Sequence, residues 1–134
     1  MPNVTLIRSD ALAKAPGYAY ASVVDSGARV IHLAGACPLG ADGTVASVGD
    51  FAGQASKCVE NMETALAAAG ASLLDVAYTR VLVASTRRED LATVWEVVQS
   101  RFADHEVPST LVGVTMLGYG HQLVEVEVVA AIAR

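Results

Sequence analysis

The chain has 134 residues, 53% hydrophobic and only 5% aromatic, with 14 acidic against 9 basic side chains. That length and apolar content suffice for one domain over residues 1–134, with a core of many small side chains, since such a chain buries roughly two-thirds of its unfolded surface. The formal net charge of −5, two widely separated lysines (Lys14 and Lys57) and a single basic pair, Arg87-Arg88, argue against a nucleic-acid partner, whose phosphates need clustered cations.

A mean hydropathy of +0.43 predicts apolar surface left over after folding, and hence self-association. The N-terminal stretch Met1-Pro2-Asn3-Val4-Thr5 lacks the charged-then-apolar pattern of a leader, and no run approaches the roughly eighteen apolar residues of a membrane span. The expectation is a cytoplasmic chain without membrane contact. Cys37 and Cys58 have no CxxC spacing and no nearby histidine, so neither a metal site nor, in a reducing compartment, a disulfide is expected.

In chain order, Val4 to Arg8 reads as a short extra strand. Tyr18 to Asp25 and Arg29 to Ala34 read as two strands of a hairpin turning at Ser26-Gly27. Gly35 to Gly49 is glycine-rich, contains Pro38 and reads as a loop with a turn at Asp42-Gly43. Asp50 is placed to cap a helix ending at Gly70, with Phe51, Ala55, Cys58, Val59, Met62, Ala65, Leu66 and Ala69 on one face. Val76 to Ala84 is the next strand. Thr86-Arg87-Arg88-Glu89 has capping-box spacing for a second helix running to Phe102, whose stripe of Leu91, Val94, Trp95, Val98 and Phe102 makes Trp95 a core or interface residue. Ser109 to Met116 and Gln122 to Ala133 complete a ββαβαββ order. The fold class is α+β: one mixed sheet with both helices on one face, leaving the other face in need of cover.

The last strand is unusual. Glu125 and Glu127 interrupt a β-branched run and, by strand alternation, share one face with Leu123 and Val129, while Val124, Val126, Val128 and Ala130 pack the other. A carboxylate on an apolar surface is costly unless water, a partner or a ligand compensates it, so these glutamates are either solvated on a half-exposed strand or held for chemistry. The other polar candidates are weaker. His32 is expected to be buried and hydrogen-bonded in its strand, and His105 and His121 to lie in loops. A Cys37 nucleophile would need an activating base, and none is adjacent in sequence.

Tyr20, Gly35-Ala36-Cys37-Pro38 (against Gly-Gln-x-Pro), Asp42-Gly43, Gln54, Asn61, Ala69-Gly70, Asp75-Val76 and Leu123-Val124-Glu125-Val126-Glu127 together resemble the RidA family, also called YjgF or L-PSP endoribonuclease-like. The resemblance implies a chorismate-mutase-like fold in a homotrimer whose uncovered sheet faces line a central barrel, with small-molecule clefts between subunits and no cofactor or metal. It also implies hydrolysis of reactive enamines and imines such as 2-aminoacrylate. In that chemistry Glu125 would position water, Tyr20 would line the cleft, and an arginine would hold the substrate carboxylate. That arginine is missing: Ser109 takes its place in the ungapped alignment, Thr110 if the prolines are matched. A hydroxyl forfeits charge-assisted hydrogen bonds of about 1.5–3 kcal/mol each, so the expected substrate is another imine, enamine or related C–N compound, neutral or differently charged. Ser109 or Thr110, with backbone N–H groups near Leu111 and Cys37, would contact it, and Ala36 replaces the loop glutamine. The alternative is a trimer that binds or senses a metabolite without chemistry. An endoribonuclease or translation inhibitor ranks last because no basic groove is present.

Overall fold

The computed structural model describes residues 3–134. The strands are β1 (Val4–Ile7), β2 (Ala21–Val24), β3 (Arg29–His32), β4 (Val76–Val83), β5 (Ser109–Gly113) and β6 (Val124–Ile132), and the helices are α1 (Phe51–Ala68) and α2 (Arg88–Phe102). A four-stranded mixed sheet runs β3-β6-β4-β5, with β5 parallel to β4 and the other pairs antiparallel. Both helices pack on one face of it, as the amphipathic stripes predict.

The local reasons are legible in part. Asp50 caps α1 by accepting the Gly53 N–H at 2.9 Å, and Gly70, at φ +85°, follows its end. Ala55, Cys58, Val59, Met62 and Leu66 of α1 are fully buried against Val81, Val83, Val124, Val126, Val128 and Ala130 of the sheet. Ala65 and Ala69, expected on that stripe, are exposed instead. One buried residue near the start of α1 is polar. Gln54 donates from Nε2 to the His121 carbonyl at 2.9 Å and accepts the Leu123 N–H on Oε1 at 2.7 Å, joining the start of α1 to the turn before β6.

Three expectations are corrected. The chain does turn at Ser26-Gly27, with Gly27 at φ +83°, but β2 does not pair with β3. It pairs antiparallel with β1 in a separate two-stranded ribbon, while β3 pairs with β6, because the apolar partners of β2 lie on the N-terminal segment. Ser22 Oγ ties the ribbon to the Ala77 carbonyl at 2.6 Å, and Val4 packs with Ala77 and Ala131. The second helix has no capping box at Thr86. Ser85 accepts the Arg87 N–H and donates to Asp90, whereas reciprocal capping occurs at Ser72 and Asp75, around a short 3-10 turn over Leu73–Asp75. His32 is exposed, opposite Val129 on the face away from the helices. Within the Gly35–Gly49 loop, Ala36 bridges to Val126 and Leu39 to Val45, so this segment is tied to the sheet.

Candidate active site

Strand register determines what shares the helix-free face of the sheet. Directly paired residues point the same way, so Glu125, Leu82 and Val112 form one rung, and Glu127, Arg80 and Thr110 the next. Tyr78, Val129 and His32 form a third. The β1-β2 ribbon packs at Ala131, beyond this third rung, and not at the Glu125 end.

The two glutamates differ in what surrounds them. Glu127 has a cation 3.8 Å away, the Arg80 guanidinium, in a pair whose side chains are both nearly half exposed. Glu125, half-buried, has only neutral donors among the described residues: the Cys37 thiol at 3.3 Å and Gln122 Nε2 at 3.4 Å, both on Oε1. Cys37 is positioned by the bridge of Ala36 to Val126 and by Asn61, whose Nδ2 donates to the carbonyls of Cys37 and Leu39 at 2.9 Å each. Gly35 passes so close that a Cβ there would lie 2.6 Å from Glu125 Oε2. Burial pushes the Cys37 thiol up to about 11, and the hydrogen bond and negative charge of Glu125 push the same way, against the Gln122 side chain. Near neutral pH this thiol is a protonated donor, which argues against the nucleophile weighed from sequence.

The remaining sequence candidates are dispersed within one chain. Tyr20 precedes β2 and is 39% exposed, with its hydroxyl bonded to the Ala13 carbonyl. It lines a cleft of about 520 Å³ with Arg8, Lys14, Tyr18 and Glu106. Ser109 and Leu111 line a second crevice, of about 300 Å³, with Tyr18 and Trp95. Thr110 is on the Glu125 face, its Oγ1 accepting the Tyr78 hydroxyl at 2.8 Å. Ala36 and Cys37 line a third hollow of about 300 Å³ beside Asn61 and Tyr119. One chain therefore brings Glu125, Cys37 and Ala36 together, places Thr110 on the same face, and leaves Tyr20, Ser109 and Leu111 elsewhere. Sequence reading missed Leu82, Val112, Arg80, Gln122 and the close approach of Gly35. Period-two alternation in β4 holds the signal for Leu82 and Arg80, but only the cross-strand register puts them beside the glutamates. Among the described residues, no three His, Cys, Asp or Glu side chains are grouped to hold a metal ion, and no helix is long and apolar enough to cross a membrane.

The sequence model of the endoribonuclease L-PSP family matches residues 10–132. No curated protein matches the chain. Among solved structures, YyfB of Yersinia pestis, a protein of unknown function of the conserved Rid family, superposes with a TM-score of 0.84 at 22% identity, over 97% of this chain and 99% of that one. Rv2704 of Mycobacterium tuberculosis, of the YjgF/YER057c/UK114 family, is 28% identical with a TM-score of 0.65, covering 96% of this chain and 99% of its own. Escherichia coli TdcF, solved with bound serine, is 26% identical with a TM-score of 0.67 over the same shares. The family match spans most of the sequence and the backbones agree end to end: this chain belongs to the endoribonuclease L-PSP family, the Rid/YjgF group.

Proposed function

We propose that the chain assembles as a homotrimer with a small-molecule cleft at each subunit junction, and hydrolyses an imine, enamine or related C–N compound that lacks the carboxylate of 2-aminoacrylate. The observation that carries this reading is the setting of Glu125: a carboxylate held, among the described residues, by neutral donors alone, on the helix-free face of the sheet, in one rung with apolar Leu82 and Val112. Such a carboxylate is suited to accept a proton from water. The hydroxide so generated adds to the imine carbon, and the protonated Glu125 passes that proton to the nitrogen, giving a neutral carbinolamine and the carboxylate again. The carboxylate then relays the carbinolamine hydroxyl proton to the amino nitrogen as the C–N bond breaks, so that ammonia leaves and a carbonyl product remains.

Charge argues for the altered substrate. An α-carboxylate beside Glu125 would meet a like charge, and the guanidinium on this face, Arg80, already faces Glu127. Neither Ser109 nor Thr110 supplies a positive fork in its place. Assembly is supported by the scatter of Tyr20, Ser109 and Leu111 away from Glu125 within one chain, which a neighbouring copy would close, and by Val30 and Tyr78 standing 51% and 39% exposed. The expected result is ammonia release from uncharged members of a panel of imines and enamines, with little from carboxylated ones, and a loss of at least a hundredfold in Glu125→Gln. Unchanged turnover in that variant would sink the assignment. A binding or sensing role is the second reading, favoured by the serine held by the Escherichia coli relative. It predicts ligand-induced thermal stabilisation with no ammonia formed.

A further inference from the structure

We infer that Cys37, Gln122 and Gly35 form a cradle that orients the Glu125 carboxylate, holding Oε1 and leaving Oε2 as the atom that takes the proton, with Cys37 a positioning residue. The inference rests on the proposed role of Glu125. Both donors reach the same oxygen: Cys37 Sγ at 3.3 Å and Gln122 Nε2 at 3.4 Å from Oε1. Gln122 is itself 4% exposed and locked, donating to the Val124 carbonyl at 3.1 Å and accepting the Tyr119 N–H at 3.1 Å. Oε2 has no hydrogen-bond partner among the described residues and lies against Gly35. A side chain at position 35 would occupy the place of that oxygen, since its Cβ would be 2.6 Å away. An oxygen that already accepts two hydrogen bonds is the weaker proton acceptor of a carboxylate, so water activation falls to the other.

The backbone supports the arrangement from both sides. Ala36 exchanges hydrogen bonds with Val126, at 2.7 and 3.0 Å, so the loop carrying Cys37 is tied to β6. Asn61 holds the Cys37 and Leu39 carbonyls from α1. Burial and the neighbouring carboxylate both keep the thiol protonated, the form in which it donates.

Two measurements test the cradle. The first is the pH dependence of Cys37 alkylation by iodoacetamide in the full chain, located by peptide mass spectrometry. It needs no substrate. Removing the carboxylate charge in Glu125→Gln is expected to move the profile to lower pH and to raise the rate at pH 8 about tenfold, one pH unit being a tenfold change in thiolate. Gly35→Ala, which drives the carboxylate off the thiol, is expected to act the same way, and profiles identical to the parent's in both variants would overturn the contact whether or not the chain is a hydrolase. The second uses any imine found to be turned over. Cys37→Ala is expected to lower kcat roughly tenfold with KM little changed, and Cys37→Ser, which keeps a donor, to recover most of the loss. A raised KM with intact kcat, or no recovery by serine, would overturn the positioning role.

Discussion

Gln54 shows what a single buried polar side chain does in this chain. It is fully buried in α1, yet all its bonds go to the backbone of other segments: the carbonyls of Ser47 and His121 and the N–H of Leu123. Replacing it with leucine would leave those groups dry and unpaired, so Gln54→Leu is expected to destabilise by about 1–3 kcal/mol, read by urea unfolding. Because Leu123 and Gln122 flank the entry to β6, the same variant is expected to disturb the Glu125 end of the strand. The sequence marked Gln54 only as a family landmark; helical periodicity alone places it beside Ala55 without stating what it binds. Glu125 was legible for the opposite reason. A charge in a β-branched run breaks the pattern within the strand itself, whereas its partners Cys37 and Leu82 are distant in sequence and appear only with the register.

At the level of elements, periodicity served α1 and β6 well because each buries one face against the other. Leu66 and Met62 close that contact near the C-terminal end of α1, both fully buried. Leu66→Ala is expected to cost about 2–5 kcal/mol in urea unfolding, since the neighbouring valines and alanines are too small and stiff to fill the void. The failures were of pairing and capping. The β2-β3 turn was read correctly as a turn, but a turn does not determine which strand pairs across it, and β1 competed successfully for β2. Thr86 to Glu89 has the spacing of a capping box, yet Ser85 reaches Asp90 first at 2.7 Å, and Ser72 and Asp75 use the motif instead. In both cases local patterns had more than one solution, and contacts distant in sequence decided between them.

For the whole molecule, the proposed assembly makes a direct statement about mass. Light scattering behind size exclusion is expected to give three times the 13.8 kDa of one chain at micromolar concentration, and a single-chain mass would remove the shared clefts from the proposal. The fold class and the helix-free sheet face were both legible from element order and hydropathy, because layer packing follows from amphipathicity. The split of the candidate residues among three hollows was not, since it depends on where loops return. The sheet order β3-β6-β4-β5 has a further consequence. Its two outer strands are only four and five residues long, and one of them begins with Arg29 and ends with His32. Short borders, one of them carrying Arg29, give a foreign strand little backbone to latch onto. A chain this rich in valine and alanine is thereby guarded against sideways growth into fibrils, and the proposed trimer would use its broad face in place of its rim.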